Sequence, residues 1–166
     1  MIELIETKRL LIRNFTAGDA VRLAQYRSKR EVARYQSWHF YSLNRAKKRI
    51  AYCMKHPYRG KLGNYQLAIE LKSNHDLIGD LYIEVESTRS FTVGYTFDSI
   101  YWSNGYAYEA LDAFFTYQKD EYDFKKVYAH VYQDNERSLR LLKKLDFTPY
   151  HKSYFYHDVS LYKDLK

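Results

Sequence analysis

The sequence predicts an α+β domain with a mixed, mainly antiparallel central sheet flanked by helices. Three observations predict it. Two strand-like runs, 65–71 and 77–86, are joined by Lys72-Ser-Asn-His-Asp76, a hairpin connection. A third strand, 91–97, runs into a helix that begins at Gly105, and a further strand and helix follow at 126–132 and 136–144. The chain has 166 residues, no visible linker and only two prolines, Pro57 and Pro149, so one domain over residues 1–166 is expected.

Each element has its own signal. Residues 3–15 alternate and carry enough β-branching to read as a strand. Thr16-Ala-Gly-Asp19 resembles a helix entry, with Ala20, Leu23, Ala24 and Val32 as an interrupted apolar face. Residues 31–41 hold Tyr35, Trp38, Phe40 and Tyr41, too aromatic for a plain loop. Ser42 is a fitting N-cap for a second helix to about residue 56, and residues 56–63 read as turn and loop. In the run 77–86, Leu77, Gly79, Leu81, Ile83 and Val85 face one way, and Asp80, Tyr82 and Glu84 face the other. Ser87-Thr-Arg-Ser90 turns into the strand 91–97. The helix from Gly105 to about residue 121 carries Ala107, Leu111, Phe114 and Phe115 on its apolar stripe. Leu139, Leu142 and Leu145 point inward from the helix 136–144, and 147–161 is the closing hairpin.

Composition narrows the class of function. No apolar run approaches the roughly 20 residues needed to span a bilayer, and the opening Met-Ile-Glu-Leu-Ile-Glu lacks the basic and apolar regions of a signal peptide. Cytoplasmic residence, with no membrane partner, is the default expectation. Cys53 is the only cysteine, which excludes an internal disulfide, and a buried structural thiol is its plain reading. The six histidines lack ligand spacing, so no metal site is expected. Net charge is +7, with basic clusters at 8–13, 27–34 and 45–61. These read as a solvated face that steers an anionic cofactor, with nucleic acid or ribosome contact as the alternative. Monomer and homodimer both stay open.

The chemistry concentrates where the strand 91–97 ends. The free N–H groups of a helix's first turn, with the positive end of its dipole, form an anion site. Gly105 has no Cβ, so an anion can approach the main chain closely there. A pyrophosphate-bearing cofactor is the natural ligand.

The segment Trp102-Ser-Asn-Gly-Tyr-Ala107 resembles the acetyl-CoA signature of the GNAT acetyltransferases, Gln/Arg-x-x-Gly-x-Gly/Ala. Asn135-Glu-Arg-Ser138 and Lys144-Leu-Asp-Phe147 match a second signature, Asn-x-x-Ser followed by Lys-Leu-Gly-Phe. That pairing is similar to the branch of ribosomal-protein N-terminal acetyltransferases and their small-molecule relatives. The opening Ile5-Glu-Thr-Lys-Arg-Leu-Leu-Ile-Arg13 resembles the family's first strand, and His157-Asp158 with Leu161-Tyr162 its last, so the resemblance spans the chain. Three positions depart from it. Trp102 replaces Gln or Arg, Asp146 replaces glycine, and Leu142 stands where many members carry a tyrosine that protonates the leaving thiolate.

The resemblance implies the GNAT fold and transfer of an acetyl group from acetyl-CoA to a primary amine, by direct attack in a ternary complex. The acceptor would be a protein N-terminus or a small-molecule amine. It implies cofactor contacts at Tyr95, Thr96 and Phe97, where the strand splays from 126–132 and its backbone bonds the pantetheine arm, and at Trp102, Ser103, Asn104, Gly105, Tyr106 and Ala107 around the pyrophosphate. Asn135 would meet the pantetheine, and Ser138 would lie near the sulfur as a catalytic donor; helix capping, with Asp134 or Asn135 as the N-cap and Ser138 in the first turn, holds at the same time. An attacking amine must lose a proton. Glu84 is the first carboxylate candidate, Asp80 the second, and His130 is chemically suited. Proximity without a dedicated base is the alternative. Acidic walls for a cationic acceptor would come from Glu31, Glu84, Glu86 and Asp98. The competing class is a non-catalytic acetyl-CoA sensor or a GNAT-like domain docking on nucleic acid or ribosome.

Overall fold

The computed structural model describes residues 3–166. Eight strands form one sheet in the order β1-β2-β3-β4-β5-β6-β8-β7. They are β1 (Glu3–Glu6), β2 (Leu10–Arg13), β3 (Gly63–Leu71), β4 (Leu77–Val85), β5 (Ser90–Phe97), β6 (Lys126–Tyr132), β7 (Thr148–Ser153) and β8 (Asp158–Asp164). Every pairing is antiparallel except β5 with β6, which is parallel. The helices are α1 (Ala20–Arg27), α2 (Arg30–Ala33), α3 (Leu43–Lys55), α4 (Tyr106–Tyr122) and α5 (Glu136–Lys144). The parallel pair needs a crossover, and α4 provides it. No helix among the described residues is long and apolar enough to cross a membrane.

Two apolar clusters hold the layers together. On one face, Leu81, Ile83 and Val85 of β4 pack with Leu111, Phe114 and Phe115 of α4, and with Leu142 and Leu145 at the end of α5. On the other, Leu23, Tyr26, Ala46 and Ile50 of α1 and α3 meet Ala68 and Leu77. Ser42 caps α3 as expected, its hydroxyl accepting from the Arg45 N–H at 3.1 Å. Cys53 is buried, and burial pushes its thiol up from the ordinary value.

Three expectations need correction. Residues 3–15 are not one strand: β1 and β2 pair with each other, and the chain turns at Thr7–Arg9. A distant carboxylate pins that turn. Glu109 of α4 accepts from the Thr7 hydroxyl at 2.7 Å, the Arg9 N–H at 2.9 Å and Arg9 Nε at 2.6 Å. The alternation along β4 also breaks at its start. The register with β3 shifts between Ile69 and Glu70, so Leu77 joins the α1–α3 cluster while Ile78 joins the α4 cluster. Lastly, the basic clusters are not wholly solvated. Arg13 is buried between Asp19 and Glu70, and Arg27 is buried against Asp80.

Those buried charges tie the helices to the sheet. Asp80 accepts from Tyr26, Arg27 and Gln66, and the Arg27 guanidinium lies over Trp38 with 4.3 Å to the ring centroid. Asp98, at the end of β5, accepts from Arg22 Nη2 at 2.7 Å and from Lys29 Nζ. Burial pushes the Asp98 carboxyl up, but the hydrogen bonds from Lys29 and Arg22 outweigh it and hold it below its ordinary value. This pair of contacts fixes α1 and the start of α2 beside the end of β5.

Candidate active site

The cleft follows from strand geometry. β5 pairs with β4 from Phe91 through Phe97, but with β6 only over Ser90–Thr92 and Lys126–Tyr128. Beyond Thr92 the parallel strands part. The opening between them is a cleft of about 1170 Å³. Val93 to Phe97 form one wall and Ala129 to Tyr132 the other, while the starts of α4 and α5 close its ends.

Most of the expected residues meet here. Tyr95, Thr96, Phe97, Trp102, Ser103, Gly105, Tyr106, Ala107, Asn135 and Ser138 all line the cleft. Asn104 does not; its amide donates to the carbonyls of Tyr101 at 3.1 Å and Trp102 at 2.9 Å, which ties the loop to itself. Glu84 does not reach the cleft either. It sits on β4 between Asn64 of β3 and Thr92 of β5, one strand away from the parting. Asp80 is committed to the buried network and also stands outside. His130 does line the cleft, with Nδ1 2.8 Å from the Ser160 hydroxyl. Of the acidic side chains expected to face an acceptor, Glu31 alone is on the wall, joined by Asp134, Glu136 and Asp158.

One end of the cleft is built from the start of α4. Gly105 is its N-cap residue at φ 80, and no side chain caps the helix. The glycine also answers a backbone demand. A Cβ there would lie 3.5 Å from Arg9 Nη2, an ordinary contact, so within the protein it is the left-handed backbone that favours glycine. The first-turn residues Tyr106, Ala107 and Tyr108 face the cleft with N–H groups that the helix itself leaves unpaired.

Two arginines frame this helix start, and neither was singled out from the sequence. Arg137 of α5 stacks on Trp102, its guanidinium carbon 4.2 Å from the ring centroid. Arg9 lies 4.4 Å over the Tyr106 ring and donates from Nη1 to the Asn104 carbonyl at 2.9 Å. Arg137 falls at an unspecified position of the Asn-x-x-Ser signature, which hides it from motif reading. Trp102 itself donates from Nε1 to the Phe97 carbonyl at 3.0 Å, tying the loop to the end of β5.

At the α5 wall, Asn135 Oδ1 accepts from the Ser138 N–H at 3.3 Å, so the capping role is real. The Ser138 hydroxyl is hydrogen-bonded to the Tyr95 hydroxyl across the cleft. Burial pushes Tyr95 up to about 12, with the Ser138 hydrogen bond pulling the other way. The Tyr35 hydroxyl donates to the Asp134 carbonyl at 3.1 Å, so the segment after α2 touches the β6–α5 turn. Ser99 donates to Glu31 Oε1 at 2.7 Å, and this bond holds the Glu31 carboxyl below its ordinary value. The arrangement suits a long ligand: a free strand edge for an amide-rich arm, uncapped N–H groups and cations for phosphate, and hydroxyl donors between.

Comparison with known proteins agrees with this geometry. The model of the acetyltransferase (GNAT) domain matches residues 9–148. YoaA of Bacillus subtilis (strain 168), described as an uncharacterized N-acetyltransferase, is 30% identical over 150 residues, covering 89% of this chain and 84% of that protein. Among solved structures, RimL, the ribosomal L7/L12 alpha-N-protein acetyltransferase in complex with coenzyme A, superposes with a TM-score of 0.84 at 17% identity, covering 99% of this chain and 98% of that one. Spermidine N-acetyltransferase from Vibrio cholerae, in complex with CoA and spermine, gives 0.80 at 16% identity, covering 96% and 97%.

Proposed function

The chain belongs to the GNAT acetyltransferases and is an N-acetyltransferase, and on that premise we propose that acetyl-CoA lies in the parting of β5 and β6 while a primary amine attacks it in a ternary complex, all within one domain. The observation that carries the proposal is that parting, open at the carboxyl ends of two parallel strands and ending on the uncapped start of α4. Backbone groups of Val93 to Phe97 bond the pantetheine arm as an added strand would. The N–H groups of Tyr106 to Tyr108 receive the pyrophosphate. Arg137 supplies the cation that the family places at position 102, and the Trp102 ring holds it flat for bidentate phosphate contact.

A backbone N–H of β5 polarises the thioester carbonyl, and Ser138 faces the sulfur. His130, on the opposite wall, accepts the proton of the incoming ammonium, directly or through water. Glu31, Asp134 and Asp158 attract a cationic amine to the same side. The named relatives acetylate a protein N-terminus in one case and spermidine in another, so both classes of acceptor belong in the first screen.

A thiol-release assay with acetyl-CoA tests the reading. The panel holds peptides with free N-termini, polyamines, amino acids and aminoglycosides, each from neutral to alkaline pH. Turnover on one class, rising with the fraction of neutral amine, is the expected result. Tight coenzyme A binding with no turnover on any amine would contradict it and leave a sensor.

A further inference from the structure

The Tyr95–Ser138 contact has a directional consequence. A serine hydroxyl carries one proton and two acceptor lone pairs, so its partner decides where the proton points. Ser138 is 6% exposed, on the cleft wall, at the first turn of α5. A helical serine can return its proton to the carbonyl four residues back. Here that carbonyl belongs to Asp134, and it already accepts from the Glu136 N–H at 3.0 Å and from the Tyr35 hydroxyl at 3.1 Å. Both of its lone pairs are engaged. The one hydroxyl beside Ser138 among the described residues is that of Tyr95. A phenol is the more acidic hydroxyl and the poorer acceptor, because its oxygen lone pair is shared with the ring.

We propose that Tyr95 is a positioning residue: its phenol donates to Ser138 Oγ, and the serine proton is thereby committed to the cleft, where it meets the thioester sulfur. The inference rests on the reading of Ser138 as the residue facing that sulfur. As the amine nitrogen forms its bond to the carbonyl carbon and the carbon–sulfur bond breaks, the electron pair passes to sulfur. Ser138 stabilises that charge by a hydrogen bond and keeps its proton. The ammonium proton has gone to His130 before attack; the second proton, shed by the nitrogen as the amide forms, goes to water, and solvent returns one to the free thiolate. Tyr95 does not ionise. Its hydroxyl, pushed up to about 12 by burial, stands above a thiol near 8.5, so a relay through tyrosinate would run uphill.

A double-mutant cycle of Tyr95→Phe and Ser138→Ala tests this. Tyr95→Phe should lower kcat about three- to tenfold, the worth of one neutral hydrogen bond. KM for acetyl-CoA should move less than about twofold, the pattern of a transition-state contact. In the Ser138→Ala background, Tyr95→Phe should change nothing further. A second readout needs no turnover: the ultraviolet titration of the thiol of bound coenzyme A should shift to higher pH in both single variants. If Tyr95→Phe does not melt cooperatively, Tyr95→Met removes the donor and keeps apolar bulk. Ser138→Ala lowering kcat while Tyr95→Phe leaves both readouts unchanged overturns the positioning role alone. Independent, multiplicative effects also overturn it. Unchanged kcat and thiol titration in Ser138→Ala overturn the reading of Ser138 as well.

Discussion

The two edges of β5 are built from the same residues and end differently. Toward β4 the strand is paired along its length, over a seam backed by the buried Asp80 network and the α1–α3 cluster. Toward β6 it is paired for three residues and then released. The closed edge fixes the strand, and the open edge can therefore present free backbone groups without the sheet losing order. Buried charges mark the first edge, and the proposed chemistry the second. A parting of parallel strands at their carboxyl ends, next to a helix start, is a general place for ligands in mixed sheets.

The largest expected effect tests the closed edge. Asp80→Ala leaves the Arg27 guanidinium and the Tyr26 hydroxyl buried without their partner. Losing one side of a buried pair costs about 3–5 kcal/mol, to be read by denaturant unfolding. Coenzyme A affinity of the remaining folded fraction should be near normal, since Asp80 lies outside the cleft. A large loss of affinity at unchanged stability would erase the distinction between the two edges.

Gly105→Ala should cost about 1–2 kcal/mol, the price of the left-handed backbone for a residue with a Cβ. A thermal melt reads this directly, and a neutral substitution would mean that the loop takes another conformation. Arg137→Ala should raise the Kd for coenzyme A about tenfold, or ~1.4 kcal/mol. Its unfolding midpoint should stay put, because Arg137 is exposed. Calorimetric titration at two salt concentrations checks both the size and the electrostatic origin of that loss.

The smallest effect concerns pH. The Asp98 carboxyl is held below its ordinary value in the folded state, so its contribution is complete above the unfolded value near 3.9 and is lost as pH falls through the folded value. Asp98→Asn should be less stable than the natural chain at pH 6, and the gap should close in acid. A gap independent of pH would remove the charge pairing with Arg22 and Lys29 from the account.

Much of this was legible from the sequence where local rules suffice. β5, α4, β6 and α5 announce themselves by periodicity, and Ser42, Gly105 and Asn135 by cap chemistry. The glycine at position 105 was read for close approach of an anion, and its φ of 80 adds a backbone reason that the sequence did not show. What stayed hidden depends on partners distant in sequence. The break between β1 and β2 is set by Glu109, about a hundred residues away. The shift that turns Leu77 to the other face is a property of the β3–β4 register, not of either strand. Glu84 was placed on the right strand by its period, but a period gives a face and says nothing of which seam opens. Asp146, which departs from the motif's glycine, adopts φ 65 as glycine would. Trp102 likewise lost a charge in the motif and regained one in space from Arg137.

The central claim is that the cofactor occupies the open edge of β5 and the start of α4. Amide hydrogen exchange, with and without saturating coenzyme A, tests it most directly. The account predicts new protection at the Val93–Phe97 amides that do not bond β4 and at Tyr106–Tyr108, with the β4-paired amides unchanged. Protection confined to other elements, at coenzyme A concentrations that saturate binding, would contradict it.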